Sequence, residues 1–247
     1  MPLTTWDKLR DGVSFWLIQL GYRLRKVHGV YAIIKPIDPS HLEVLGEPIF
    51  QASVREVADL TMLDTARLAN LWNFCKLTDP RGNILEVGSY KGGGALHLSN
   101  CCPDRKVIVC DSFQGFETLD SSLDKNFSDE MFKDSSKESV AALFSSRGRK
   151  HEVIAGFFPA SCAGKLIGPV SFLHLDVDVY KATIESLNYL ERENVLTDRA
   201  LIVLDDYGRE CAGVNEAVAE FTAACPRWKA FPLFPGQGLL LSAGWFA

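Results

Sequence analysis

Four carboxylates close two apolar runs in this 247-residue chain. In Leu173-His-Leu-Asp176-Val-Asp178-Val-Tyr180 two acids stand two residues apart at the end of an extended run, where a strand's period of two turns both to one side. Leu201-Ile-Val-Leu-Asp205-Asp206-Tyr207 ends in the same way. If the two runs are neighbouring strands, the four acids meet at one edge. Two unit charges about 4 Å apart repel by about 4 kcal/mol at an effective dielectric near 20, so the cluster needs a cation, strong donors or raised pKa values. Solvated acids that cap the following helices are the plainer alternative. A divalent metal meets the need directly, and all-oxygen ligands without a nearby cysteine suit Mg²⁺, Mn²⁺ or Ca²⁺ and not zinc. His174 faces the same side as Asp176 and Asp178 if alternation holds, either as a buried, hydrogen-bonded histidine or as a catalytic one.

A second group of residues could hold a ligand. The short run Asn83-Ile-Leu-Glu86-Val-Gly88 leads into Gly88-Ser-Tyr-Lys-Gly-Gly-Gly94, with a helix pattern behind it. Glycines let backbone approach a ligand closely, and a helix start offers free N–H groups. A phosphate-binding loop would need Lys-Ser/Thr after Gly93, but Gly94-Ala95 stands there, and the Gly-x-Gly-x-x-Gly of dinucleotide folds is absent at Gly88. A nucleoside with an amino-acid tail is the remaining option. Asp111, at the end of the next strand, is placed to accept from ribose hydroxyls, so that S-adenosylmethionine fits the set of Glu86, the glycine loop and Asp111.

The elements that must position these residues follow from periodicity. Apolar runs at Asn83–Gly88, Lys106–Asp111, His151–Ala155, Val170–Asp176 and Ala200–Asp205 read as strands, and Trp228–Leu233 with Leu239–Ser242 as a terminal hairpin around Pro235-Gly-Gln-Gly238. Helices are expected at Thr61–Lys76, Ala95–Asn100, Lys137–Phe144, Thr183–Glu191 and Val214–Ala224. This alternation predicts an α/β fold, a doubly wound, mostly parallel seven-stranded sheet covered on both faces. Ahead of it, apolar residues at Trp6, Leu9, Val13, Trp16, Leu20, Leu24 and Val27 recur every three or four positions and predict an amphipathic helical arm, ended by Arg23, Arg25 and Lys26. Prolines at 36, 39 and 48 predict a loop over residues 36–49. The expected division is an arm and loop over 1–60 and one domain over 61–247.

Composition narrows the partners. With 26 Lys plus Arg against 31 Asp plus Glu the net charge is −5, which argues against nucleic acid. The longest apolar run near the start, Val13–Leu20, is far below the roughly 20 residues of a spanning helix, so no transmembrane segment is expected. Acidic Asp7 and Asp11 early in the chain speak against a signal peptide, and a cytoplasmic protein is expected. Seven cysteines without a CxxC pair predict free, buried thiols.

Several stretches together resemble the macrocin O-methyltransferase (TylF-type) family of Rossmann-like class I S-adenosylmethionine methyltransferases. They are Thr61-Met-Leu-Asp-x-x-Arg67-Leu, Glu86-Val-Gly-Ser-Tyr-Lys-Gly-Gly, Asp111-Ser-Phe-Gln-Gly-Phe116, Gly156-Phe-Phe-Pro159, His174-Leu-Asp-Val-Asp-Val-Tyr180 and Asp205-Asp-Tyr-Gly208 with Cys211-x-Gly213. The glycine loop departs from the family's usual Cys-Gly-x-x-Arg-Gly-Gly form. The resemblance implies Asp176, Asp205 and Asp206 as metal ligands and Asp178 as general base, with His174 the next candidate. It places the cofactor on Glu86, Gly88, Ser89, Tyr90, Gly92, Gly93, Asp111, Ser112, Phe113, Gly156, Phe157 and Asp176. It also implies a magnesium-dependent transfer of methyl to a sugar hydroxyl of a small molecule, and we expect a homo-oligomer. A catechol-like phenol is the runner-up acceptor, because an ortho-diol also chelates a metal; a nucleotide-binding oxidoreductase is disfavoured by the glycine spacing.

Overall fold

The computed structural model describes residues 23–27, 30–34, 43–128, 130–208 and 211–246. Two compact units divide the chain, Met1–Gly46 and Glu47–Ala247. In the first, strand β1 (Arg23–Val27) pairs antiparallel with β2 (Val30–Ile34), Val27 opposite Val30. The expected helix is therefore a strand over Leu24 and Val27, consistent with the extended preference of the β-branched and aromatic residues that follow in Val30-Tyr-Ala-Ile-Ile34. Its earlier part, Trp6 to Leu20, lies outside the described residues.

The second unit begins earlier than the expected boundary after residue 60, because helix α1 (Pro48–Val57) belongs to it. Pro48 occupies the first helical turn, where a missing N–H costs nothing, so here proline starts a helix where a loop was expected. Then follow α2 (Thr65–Lys76), β3 (Asn83–Val87), α3 (Gly93–Cys101), β4 (Val107–Asp111), α4 (Lys137–Ser145) and β5 (His151–Ala155). β6 (Val170–Leu175), α5 (Tyr180–Arg192), β7 (Leu196–Leu204), α6 (Ala212–Ala224), β8 (Trp228–Leu233) and β9 (Gln237–Ser242) complete it. α2 starts at Thr65 and not at Thr61: the Asp64 carboxylate accepts from the N–H groups of Ala66 and Arg67 at 2.9 and 2.8 Å, fixing the start there.

The seven strands lie in the order β5-β4-β3-β6-β7-β9-β8. The first five are parallel, and the terminal hairpin adds β9 antiparallel to β7 and β8 antiparallel to β9. Strand alternation sorts the core into two layers. Leu85, Val87 and Ile108 face Leu187, Val214 and Phe221 of α5 and α6. Ile84, Val107 and Val109 face Val57, Leu68, Leu96 and Val140 of α1 to α4. The order turns back at β3, whose neighbours are β4 on one side and β6 on the other, which opens a crevice at their carboxyl ends. No described helix is long and apolar enough to cross a membrane.

Candidate active site

The acidic cluster sits at that crevice, but period two does not explain all of it. β6 and β7 pair Leu175 with Leu204, and the ladder runs one residue further: the Asp176 N–H donates to the Val87 carbonyl and the Asp205 N–H to the Leu175 carbonyl. Asp176 and Asp205 are therefore set side by side by register. Asp178 and Asp206 join through the left-handed backbone conformation, with φ of 62° and 57°. Aspartate tolerates that region better than most residues, and such strain is held only where the surroundings enforce it. The result brings one carboxylate oxygen each of Asp176, Asp178 and Asp206 within 4.8 Å of one another; a ligand atom each of His174, Asp176 and Asp205 form a second such group.

Burial and mutual repulsion raise Asp176, Asp178 and Asp205. Burial pushes Asp176 well above the usual carboxylate range, reinforced by Asp205 and Asp178. Asp178 is driven up by burial and by its contact with Asp206. Burial raises Asp205 too, against the pull of His174, Arg67 and Gln237. Arg67 donates from Nη1 to Asp205 Oδ2 at 2.9 Å and to Asp206 Oδ1 at 3.2 Å, and from Nε to the Pro235 carbonyl at 3.1 Å. Gln237 Nε2 donates to Asp205 Oδ1 at 2.6 Å. Both oxygens of Asp205 thus accept from protein donors, whereas Asp206 gives only Oδ1 to Arg67, and Asp176, Asp178 and Asp206 form the converging oxygen set. Three converging carboxylate oxygens, two of them on Asp176 and Asp178, which burial and acidic neighbours raise, are the donor chemistry a hard divalent cation relieves, so the residues fit a metal.

His174 is fully buried. Its Nδ1 lies 2.8 Å from Glu86 Oε1, and its Nε2 has no hydrogen-bond partner among the described residues. Burial disfavours the imidazolium, but the Glu86 carboxylate and the charges of Asp176 and Asp205 more than offset this and raise it to about 9. Glu86 Oε2 accepts from the Ala95 N–H at 3.0 Å, in the first turn of α3. A side chain on Gly94 would place its Cβ 2.4 Å from Glu86 Oε1, so this glycine makes room for the carboxylate. Glu86 therefore braces His174 against the helix that follows the glycine loop.

The loop itself is held by Asp111. Oδ2 accepts from the N–H groups of Ser89 and Tyr90 at 2.7 and 2.9 Å, and Oδ1 from that of Phe113 at 2.7 Å. Most of the carboxylate expected to meet a ribose is thus engaged with backbone. Gly88, at φ +79°, approaches so closely that a Cβ would lie 1.8 Å from the Asp176 carbonyl oxygen. Loop and acids share one cavity of about 400 Å³, whose walls include Glu86, Gly88, Ser89, Tyr90, Asp111, Ser112, Phe157, His174, Asp176, Asp178, Asp205 and Asp206. Gly92, Gly93, Phe113 and Gly156 are not part of that wall. Gly93 instead lets α3 pack on the Leu60 carbonyl, to which its N–H donates at 3.1 Å.

Sequence reasoning assigned no role to Arg67 or Gln237, or to the apolar wall of Phe116, Phe127, Met131 and Phe132. Phe116 meets Phe127 and Phe132 edge-on at 5.4 and 5.8 Å, and Phe132 meets Tyr90 at 5.6 Å. Arg67 stood in a quoted motif, but the aromatics fall in or beside a polar stretch without periodicity. Asp134 ties that stretch to the glycine loop, accepting from Lys91 Nζ at 2.8 Å and the Tyr90 hydroxyl at 3.0 Å.

Comparison with known proteins agrees with this architecture. The family profile described as macrocin O-methyltransferase (TylF) matches residues 50–226. Among curated proteins none matches the sequence. Of the solved structures, the O-methyltransferase NovP superposes with a TM-score of 0.65 at 21% identity, over 74% of this chain and 82% of NovP. CalS11, a TDP-rhamnose 3'-O-methyltransferase of calicheamicin biosynthesis, superposes at 0.51 with 16% identity over 84% of this chain and 96% of its own. The S-adenosylhomocysteine-bound methyltransferase PaMTH1 of Podospora anserina gives 0.52 at 14% identity over 98% of each chain. Identities this low carry the shared fold alone.

Proposed function

The chain belongs to the macrocin O-methyltransferase family and is an S-adenosylmethionine-dependent O-methyltransferase; on that premise we propose that it methylates a hydroxyl of a sugar or glycosylated small molecule with the help of a divalent cation, Mg²⁺ in the first instance. The convergence of Asp176, Asp178 and Asp206 within 4.8 Å, on the wall of the cavity that holds the glycine loop, carries this reading. CalS11, by its name, acts on a TDP-linked sugar, which supports a sugar acceptor over a phenol.

The proposed division of labour is local. Asp176 and Asp206 would hold the metal with Asp205 beside them, and Gly88, Ser89, Tyr90, Asp111, Ser112 and Phe157 would hold the cofactor. A divalent cation supplies a Lewis acid that favours the ionised form of an alcohol. S-adenosylmethionine supplies an electrophilic methyl group. Asp178 takes the proton from the acceptor hydroxyl, a role that suits a carboxylate whose proton affinity is raised by burial and by Asp206. Glu86 and His174 keep the acidic edge and the start of α3 in register. Phe116, Phe127, Met131 and Phe132 exclude water and seat the apolar part of the acceptor.

The test is methyl transfer to paired acceptors, a nucleotide-linked or glycosidic sugar against a catechol, with and without EDTA. Transfer to the sugar that stops on chelation and returns with Mg²⁺ is expected. Equal rates in EDTA would remove the metal from the proposal, and transfer to the catechol alone would remove the sugar.

A further inference from the structure

Three of the seven cysteines meet where the C-terminal ends of α2 and α3 come together. Cys75 lies in the last turn of α2, Cys101 ends α3 and Cys102 caps it. The sulfurs of Cys75 and Cys102 are 3.6 Å apart and those of Cys101 and Cys102 3.8 Å, with all three within 4.8 Å of one another. Sulfurs that share one ion at a metal–sulfur distance of about 2.3 Å lie about 3.8 to 4 Å apart, so the Cys101–Cys102 spacing is already that of a bound site and the Cys75–Cys102 spacing falls just short of it. The spacing in sequence, one cysteine on one helix and an adjacent pair 26 residues later, matches no zinc motif; only the packing of α2 on α3 assembles the group.

Arg105 is buried beside the cluster, and its guanidinium lies 3.5 Å from Cys75 Sγ. Its other partners are neutral: the carbonyls of Gly82, Cys75 and Asn83 and the hydroxyls of Thr78 and Ser171. Among the described residues no carboxylate hydrogen-bonds this buried cation, and the exposed-side charge of Asp79 reaches it only through space, so a negative group at the thiols would stabilise it further. Three thiolates around a divalent ion carry a net charge of −1, which the guanidinium balances.

We propose that Cys75, Cys101 and Cys102 form a binding site for one thiophilic d¹⁰ metal ion, zinc being the reference case, separate from the acidic cluster. Binding releases the thiol protons to solvent, and the sulfurs select a soft ion where the carboxylates select a hard one. Cys101 and Cys102 are only partly buried, which leaves the ion a path of entry.

Titration of the reduced full-length protein with Cd²⁺ tests this through the sulfur-to-cadmium charge-transfer band, which carboxylate ligands do not produce. One equivalent should saturate the band. Cys101→Ser and Cys102→Ser should each weaken binding by roughly 100-fold, and Cys225→Ser should leave it unchanged. No band in the wild-type protein, or a band intact in both ligand variants, would overturn the site. If the variants fail to fold, alkylation of the wild-type protein decides: Zn²⁺ should protect Cys101 and Cys102 but not Cys225 from iodoacetamide, and absence of protection overturns the proposal.

Discussion

His174 Nδ1 and Glu86 Oε1 lie 2.8 Å apart on neighbouring parallel strands, in register, with both side chains about 1% exposed. This pair joins the acidic edge to the glycine loop, because Glu86 also receives the first-turn N–H of Ala95. Glu86→Gln keeps the shape and removes the charge that holds the imidazole, and it should lower stability by about 1.5 to 3 kcal/mol. Urea unfolding with an unchanged slope would measure it. A variant as stable as the wild type would show that the pair is not a brace.

Asp178 and Asp206 differ in their proposed roles, and their amides separate them. Asp206→Asn should abolish metal-dependent transfer by weakening the cation. Asp178→Asn should cut kcat by roughly 10² to 10⁴ while metal and cofactor affinities stay near wild type. Part of the rate should return at high pH. Loss of metal affinity in the Asp178 variant would make it a ligand and send the search for the base elsewhere.

Asp111 accepts three backbone N–H groups, two of them from the glycine loop. Asp111→Asn turns one acceptor oxygen into a donor facing those amides. Cofactor affinity should drop by about 10- to 100-fold, roughly 1.5 to 3 kcal/mol, with a lower midpoint of thermal unfolding. Calorimetric titration with S-adenosylmethionine checks the first and a melting curve the second; unchanged affinity would leave Asp111 a loop support only.

Away from the site, Glu191 accepts from Arg227 Nε and Nη2 at 2.7 and 2.5 Å and from Trp228 Nε1 at 3.0 Å, tying α5 to β8. The Arg227 hydrogen bonds, against a burial cost, hold its carboxyl below the usual range. A carboxylate lowered in the folded state contributes stability above its unfolded pKa, near 4.3, and loses it as pH falls through the folded value. Glu191→Gln should therefore be less stable at neutral pH by about 1 kcal/mol and show a flatter decline below pH about 4.5. Parallel acid limbs in the two proteins would contradict the assignment.

Much of this was written in the chain's local pattern. Apolar runs closed by Gly88, Asp111 and the paired acids marked the parallel strands, since a strand buried on both faces needs continuous apolar residues and its polar ends must face an edge. Asp64, as a helix cap, and Pro48, as a helix start, were equally local signals but pointed to other boundaries than periodicity alone suggested. What only the tertiary structure decided depends on contacts far apart in sequence. The turn back at β3 brought Glu86 to His174, 88 residues away, and Arg67 to Asp205, 138 residues away. Left-handed backbone at Asp206 aimed a carboxylate that strand alternation would have sent to the face opposite Asp205, and at Asp178 it took over beyond the strand's end, where alternation no longer applies. Packing of α2 on α3 gathered three thiols whose spacing carries no motif. Local patterns state which segments bury a face; which side chains then share a charge, a proton or an ion is settled only where those faces meet.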